Sequence, residues 1–231
     1  MSVNGTTIRS LILGALAIVL IVSLVVSNSV HFGHADVPVA ATAAEIQPLA
    51  AGDQAPFFVV ETVDNRLFSF DPRKLTRPVV LITFRGGWCP YCNLQLSELR
   101  TVIPRIDEMG VDVLFLSGDR AERLYASLSR ETQEDIDNLD YTILSDADAQ
   151  AALALGIAFK ASDRTLAKRR TAAGDEFRGS SMARHGVLPV PAVFAIDANG
   201  TITFAHADPD YRVRLSGEKL IAAAREIAPA T

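Results

Sequence analysis

The sequence feature that most constrains the fold is a continuous apolar run that leads into the only two cysteines of the chain. The run, RPVVLITF at residues 77–84, has a β-branched centre and does not alternate with polar residues, which predicts a strand buried on both faces. Cys89 and Cys92 follow it in FRGGWCPYC. Beyond them, apolar residues recur at helical spacing on one face, at Leu96, Leu99, Ile103 and Ile106. The cysteines are therefore expected where a central strand passes into a helix.

Three kinds of site place two cysteines two residues apart. A structural zinc ion needs four ligands. This chain has no second cysteine pair, its His31 and His34 lie in the predicted linker, and His185 and His206 do not form a ligand pair. A structural disulfide would suit an exported protein, but so small a closed loop gains little entropic stabilisation. The third kind is a redox-active pair, which the strand–helix context favours.

The residues around the pair fit a reactive thiol. Cys89 precedes the helix, where free N–H groups and the helix dipole favour a thiolate. Pro90 suits the first helical position, because it has no N–H to leave unpaired there. Gly86 permits a tight turn that leaves the sulfur accessible. Trp88 can shield one side of the site, and the alternative for this residue is ordinary packing. The charge of Arg85 can lower the pKa of the thiol, and the alternative is a surface arginine with no role in the site.

The other apolar runs predict further strands. PFFVVETVDNRLFSF indicates a hairpin that turns at Asp64-Asn65, and VDVLFLSG indicates a second buried strand. Shorter strands are predicted in DYTILSD, AVFAID and TITFAHA, the last two joined by a hairpin turn. Pro191 lies where AVFAID begins, a position at which a strand tolerates proline, and a cis peptide bond there would suit a close approach to the cysteines.

Helices are predicted between several of these strands. Pro104 predicts a kink or an early end of the helix after the cysteines. Asp119 is expected to cap a helix over residues 120–130. A short helix over 147–155 and a closing helix over 216–227 complete the pattern. Parallel βαβ units followed by an antiparallel hairpin predict an α/β fold, a mixed central sheet with helices on both faces.

Residues 158–189 are rich in basic side chains and lack a clear period. The simplest interpretation is a solvated insertion, and a docking surface for an acidic partner is the alternative. The chain as a whole carries a net charge of −5, which argues against a nucleic-acid partner. It contains no Walker A and no GxGxxG pattern, so no nucleotide site is predicted. No cofactor is expected.

The N-terminal part differs from the globular remainder. After a single basic residue, Arg9, residues 11–26 are all apolar or small except Ser23, and extension through Ser27, Asn28 and Ser29 to Val30 gives about 20 residues. About 20 such residues can span a membrane, so an uncleaved anchor is expected, with a cleaved secretory signal as the alternative. Either one places the rest of the chain outside the cytoplasm, in the periplasm or the extracellular space. The predicted organisation is a cytoplasmic end at 1–9, the anchor at 10–30, a linker at 31–50 and one domain at 51–231.

Four segments together resemble a known family: GDQAPFFVVETVDNRLFSF, VVLITFRGGWCPYCNLQLSEL, VDVLFLSGD and LPVPAVFAIDANGTITFAHADPDYRVR. They are similar to peroxiredoxin-like proteins of the alkyl hydroperoxide reductase/thiol-specific antioxidant group, in the thioredoxin superfamily. The resemblance covers about residues 51–228. It implies a thioredoxin-like fold and a thiol-dependent peroxidase with an antioxidant role.

The resemblance also implies roles for the two cysteines. Cys89 matches the place of a peroxidatic cysteine, which reduces hydrogen peroxide and organic hydroperoxides. Cys92 would then resolve the sulfenic acid by forming a Cys89–Cys92 disulfide. A thioredoxin-like thiol donor would reset the pair.

Two positions depart from the peroxiredoxin pattern. Gly86 lies where those proteins carry a threonine or serine, and Pro191 lies where they carry an arginine. A proline at that place resembles thioredoxins, whose cis-proline loop contacts the disulfide of a partner. The second hypothesis is therefore a membrane-anchored thiol-disulfide oxidoreductase that acts on protein disulfides. A non-catalytic, tethered binding module is a third, but it leaves the CPYC pair unexplained.

Overall fold

The computed structural model describes residues 39–172 and 177–229. No helix within these ranges is long and apolar enough to cross a membrane. The anchor or signal predicted at 10–30 lies outside the described residues, as do residues 1–9 and the first part of the linker. Membrane attachment and location therefore stay predictions.

A mixed sheet of seven strands forms the centre of the described domain. Its strands are β1 Phe58–Thr62, β2 Leu67–Phe70, β3 Val79–Phe84, β4 Asp112–Ser117, β5 Thr142–Ser145, β8 Ala192–Ile196 and β9 Ile202–Ala207. They lie in the spatial order β2-β1-β5-β4-β3-β8-β9. β3, β4 and β5 are parallel to one another, and the remaining neighbours in the sheet are antiparallel. The strands predicted from apolar runs are thus confirmed.

Helices cover both faces of the sheet, which explains the unbroken apolar run of β3. The helices are α1 Pro90–Glu98, α2 Ile103–Asp107, α3 Arg130–Ile136, α4 Gln150–Ala154, α5 Asp163–Ala172, α6 Ser181–His185 and α7 Gly217–Ile227. Val80, Ile82 and Phe84 point into one core, where α1, α2 and α7 pack. Val79 and Leu81 point into the other core, which includes α4. Successive side chains of a strand face opposite ways, so a strand covered on both sides needs apolar residues at every position.

The helical predictions are confirmed in part. The helix after the cysteines ends at Glu98, and Pro104 lies in the first turn of the separate helix α2. Ser216 caps α7 by accepting a hydrogen bond from the backbone of Lys219. The helix predicted over residues 120–130 is wrong: a single 3₁₀ turn covers Ala121–Arg123, and α3 begins only at Arg130.

The basic insertion has structure of its own. β6 Ala158–Lys160 and β7 Val187–Pro189 form a separate two-stranded sheet, and α5 and α6 lie between them in the sequence. The exposed surface of α5 carries basic residues, and none of its side chains is buried. The described residues of the insertion therefore form defined strands and helices, with α5 at the surface.

Residues 39–50 pack against the domain, although the sequence predicts a linker there. Ala40 bridges to Phe159 of β6, and the backbone N–H of Leu49 donates to the carbonyl of Leu155 at 3.1 Å. Four apolar side chains of this stretch also pack on the core: Val39, Ala43, Ile46 and Leu49. The packed part of the chain therefore begins before residue 51. Because the apolar residues of this stretch are irregularly spaced, their pattern predicts neither a helix nor a strand.

Candidate active site

The two cysteines lie at the carboxyl end of β3, at the start of α1. Cys89 is the residue that precedes the helix, and its extended backbone begins the turn into it. Pro90 occupies the first helical turn, and Cys92 lies one turn in. Both cysteines are free thiols, and only 1% of Cys89 and none of Cys92 is exposed. The sequence predicts an accessible sulfur, but the structure covers it, so any reactant needs local movement to reach Cys89.

The environment of Cys89 favours its thiolate. A hydrogen bond from the Cys92 side chain lowers the pKa of Cys89 to about 6, with help from the Cys92 backbone N–H and the charges of Arg85 and Arg214. Burial acts against this shift, because it disfavours the charged form. Cys89 therefore forms the nucleophilic thiolate more readily than an ordinary cysteine does.

Cys92 has the opposite tendency. Complete burial raises its pKa well above the ordinary value, and the neighbouring Cys89 adds to the effect. Arg214 moderates it: its Nη2 donates to the Cys92 Sγ at 3.4 Å, while its Nη1 donates to the Gln95 side chain at 3.1 Å. The pair thus consists of one acidic thiol and one neutral thiol, held in contact.

A stack of aromatic and guanidinium groups lies beside the pair. The Arg85 guanidinium is 5.3 Å from the centroid of the Trp88 ring and 4.6 Å from that of Tyr211. Arg169 of α5 lies over Trp88 at 3.9 Å, and Tyr211 meets Tyr91 edge to face at 5.6 Å. Such contacts attract a cation to a ring. The basic insertion therefore contacts the candidate site through Arg169, so it is not only a solvent-exposed segment.

Gly86 has a backbone conformation that excludes a side chain. Its φ is +144°, a value that residues with a Cβ rarely adopt. A Cβ at this place would collide with the Trp88 ring nitrogen and lie 2.7 Å from Asp119 Oδ1. The hydroxyl side chain found here in peroxiredoxins has no space in this chain.

Pro191 is buried and lies between β7 and β8. It lines a small cavity together with Gln95 and Arg214, the residues that adjoin Cys92. The peptide bond that precedes it is trans, which differs from the cis bond considered from the sequence. The carbonyl of Val190 accepts a hydrogen bond from the Thr83 hydroxyl of β3 at 3.1 Å, which ties this segment to the central strand.

Two arginines at the site were not predicted from the sequence: Arg214, which contacts Cys92, and Arg169, which contacts Trp88. Arg214 and Arg169 come from segments far from the CPYC motif, and nothing in their local sequence distinguishes them from other arginines. DPDYRVR ends one of the segments that carry the family resemblance, and this is the signal that could have singled out Arg214. Arg169 had no comparable signal, because its neighbours on α5 are also basic.

The sequence of this chain is also similar to those of known proteins. A sequence profile described as the AhpC/TSA family matches residues 51–205. The chain belongs to the AhpC/TSA family. Peroxiredoxin Bcp of Escherichia coli strain K12 is 31% identical over 112 residues, which cover 48% of this chain and 67% of that protein.

Two further proteins are also similar to this chain. Thiol-disulfide oxidoreductase ResA of Bacillus cereus is 27% identical over 79 residues, 34% of this chain and 44% of that protein. The crystal structure of reduced Prx3 from Vibrio vulnificus, in complex with hydrogen peroxide, superposes with a TM-score of 0.58 at 18% identity, over 76% of this chain and 99% of that one. This likeness confirms the thioredoxin-like fold.

Residues 39–172 and 177–229 hold no group of three or more His, Cys, Asp or Glu side chains that could bind a metal ion. What the site offers is a nucleophilic sulfur beside a second sulfur, with two guanidinium groups near them. Such a pair of thiols can give two electrons to a substrate and become a disulfide.

Proposed function

We propose that this protein is a thiol-dependent peroxidase in which Cys89 attacks the peroxide and Cys92 resolves the product. Membership of the AhpC/TSA family supports thiol peroxidase activity in general terms. The observation that carries the finer assignment is the division of acidity between the two thiols. Cys89 has a pKa of about 6, whereas Cys92 stays protonated, so only one of them is ready to act as a nucleophile.

The first step transfers an oxygen atom. The Cys89 thiolate attacks the terminal oxygen of the hydroperoxide, the O–O bond breaks, and Cys89 becomes a sulfenic acid. The departing alkoxide or hydroxide takes up a proton and leaves as an alcohol or water. The sulfur gives up two electrons, and the peroxide is reduced by the same two.

The second step joins the two sulfurs. Cys92 attacks the sulfenic sulfur of Cys89, an S–S bond forms, and the sulfenic oxygen leaves as water with the proton of Cys92. Arg214, whose guanidinium already donates to the Cys92 Sγ, favours the thiolate that this attack requires. An external dithiol of the thioredoxin type then reduces the disulfide by thiol–disulfide exchange.

The burial of Cys89 supports a small substrate. With 1% of the residue exposed, hydrogen peroxide or the end of an organic hydroperoxide needs less opening than a folded protein does. We therefore place hydroperoxides ahead of protein disulfides as substrates of the first step.

Reduction of protein disulfides is the second candidate. The CPYC spacing at the start of a helix and the partial match to ResA favour it. The exposed rings of Tyr91 and Tyr211 beside the site would provide apolar contact area for a protein partner. In this alternative Cys89 attacks a sulfur rather than an oxygen, and Cys92 releases the mixed disulfide.

The two candidates differ in measurable rates. We expect Cys89→Ser to abolish peroxide consumption driven by a thioredoxin system, and Cys92→Ser to accumulate a sulfenic acid at Cys89. The double serine variant is the matched blank for both assays. Reaction of Cys89 with peroxide at the rate of an ordinary free thiol, together with rapid reduction of insulin disulfides, would establish the second candidate. Full redox function in the double serine variant would instead revive the tethered binding module.

The location of the domain is a separate proposal. We propose that residues 10–30 anchor the protein in a membrane, with the redox domain on the periplasmic or extracellular side. The support is the length and apolar character of that segment. The intact mass of the membrane-extracted protein tests it: a species that begins near residue 36 shows that the segment is a cleaved signal.

A further inference from the structure

The backbone N–H and the backbone carbonyl of Gly87, two residues before Cys89, are both held by side chains. Its N–H donates to Asp119 Oδ2 at 2.8 Å, and its carbonyl accepts from Asn93 Nδ2 at 2.5 Å. Asp119 follows β4, whereas Asn93 lies in the first turn of α1. Two elements on either side of the loop therefore fix the two consecutive peptide planes that meet at the Gly87 Cα.

Asp119 is itself rigidly placed. Only 1% of the residue is exposed, and its Oδ2 also accepts from the Ser127 hydroxyl at 2.8 Å. The loop packs directly on these groups, because a Cβ at Gly87 would overlap Ser127 and one at Gly86 would lie 2.7 Å from Asp119 Oδ1. The two glycines thus allow the loop to approach Asp119 and Ser127 closely enough to be held.

Asn93 connects the same loop to the segment before α3. Besides the Gly87 carbonyl, its Nδ2 donates to the Cys89 carbonyl at 3.1 Å. Its Oδ1 accepts from the Ser129 backbone at 2.7 Å. The Cys89 N–H donates to the Gly86 carbonyl at 3.1 Å and closes the turn. The backbone from Gly86 to Cys89 consequently has little freedom of its own.

We propose that Asp119 and Asn93 are positioning residues, which hold the backbone on the two sides of Gly87 and thereby keep the Cys89 sulfur against Cys92. Neither residue is part of the CPYC motif. Both act through the backbone that leads into Cys89. The inference rests on the proposed role of Cys89 as the reacting thiol.

The test separates positioning from simple electrostatics. The Asp119→Ala variant loses the acceptor for Gly87, so the Cys89 sulfur drifts from the Cys92 thiol and the pKa of Cys89 rises. The Asp119→Asn variant keeps an oxygen that accepts from the Gly87 N–H, so the pKa of Cys89 stays near that of the wild type or falls. If Asp119 acted only through its negative charge, both substitutions would lower the pKa of Cys89.

Thiolate absorbance against pH gives the readout in the full chain, with the rate of alkylation as a second measure. A rise of one pKa unit from about 6 would lower the alkylation rate at that pH about fivefold, since the thiolate fraction falls from about one half to about one tenth. Asn93 is less buried than Asp119, so the Asn93→Ala variant disturbs the fold less and keeps Asp119 in place. We expect it to raise the pKa of Cys89, as Asp119→Ala does. It keeps the inference testable if Asp119→Ala does not fold.

Asp146→Ala is the matched control. Asp146 is another buried carboxyl that accepts backbone N–H groups, but those belong to Ala151 and Ala152 of α4. It should destabilise the fold and leave the pKa of Cys89 unchanged. An unchanged pKa in both Asp119→Ala and Asn93→Ala overturns the inference. A raised pKa in an otherwise peroxide-inactive protein would leave the positioning role standing and refute only the proposed function.

Discussion

Replacing Gly86 by threonine should not create a better peroxidase, although threonine or serine is the residue that peroxiredoxins carry at this place. The backbone of Gly86 has a φ of +144°, and the space next to its Cα is filled by Trp88 and Asp119. We expect Gly86→Thr to displace the loop that leads into Cys89, and therefore to lower both stability and activity.

The expected loss has two parts. Forcing a residue with a Cβ into this region of backbone conformation costs about 1–3 kcal/mol. Overpacking against the Trp88 ring and the Asp119 carboxyl costs about another 1–3 kcal/mol. The free energy of unfolding should thus fall by about 2–6 kcal/mol, which lowers the melting temperature by roughly 5–20 °C in a chain of this size.

Gly52→Thr provides the matched control. Gly52 also has a positive φ, +99°, but nothing lies within 4 Å of a Cβ placed there. It should therefore show only the backbone part of the loss. Chemical denaturation of both variants, together with their peroxide consumption, separates the collision from the backbone strain.

A Gly86→Thr protein as stable as Gly52→Thr would contradict the assigned collision. Peroxide consumption above that of the wild type would refute the broader reasoning, because it would show that the loop accepts a hydroxyl in a productive place.

Two further predictions concern pH. The rate of sulfenic acid formation should rise with pH through about 6 and level off above it, because only the thiolate of Cys89 reacts. Arg214→Gln removes a positive charge that lowers the pKa of Cys89, so it should move the midpoint of this profile upward in stopped-flow measurements. An unmoved midpoint would show that the charge of Arg214 does not lower this pKa. Burial raises the pKa of Asp146 to about 7, so the unfolded chain releases this proton at lower pH than the native protein does. The free energy of unfolding should therefore fall by up to about 4 kcal/mol between about pH 4 and pH 7. Asp146→Asn should flatten this slope in urea denaturation, whereas an unchanged slope would assign it to other groups.

The strands were predictable because burial leaves a direct trace in their composition. β3 and β4 are covered on both faces, so nearly every residue is apolar and the runs are visible without further information. The conformation of the region after Asp119 could not be predicted in this way. An acidic residue before a polar stretch fits a helix cap, yet the Asp119 side chain is engaged by Gly87 and Ser127, and these tertiary contacts decide the conformation.

The candidate site was predictable only in its local part. The spacing of Cys89 and Cys92 and the helix that follows them are local properties of the chain. The groups that adjust the two thiols come from elsewhere: Arg214 is 122 positions from Cys92, and Arg169 reaches Trp88 from the insertion. Distances of this kind depend on how strands and helices pack, which residue spacing does not encode.

The position of Trp88 gives the molecule an internal optical probe. It is the single tryptophan of the chain. The guanidinium groups of Arg85 and Arg169 lie 5.3 Å and 3.9 Å from the centroid of its ring, and it directly precedes Cys89. Indole emission responds to nearby charge and to nearby sulfur chemistry. The tryptophan fluorescence of the unlabelled protein therefore originates entirely at the redox centre, and each change in the state of the cysteines is expected to be visible there without a dye.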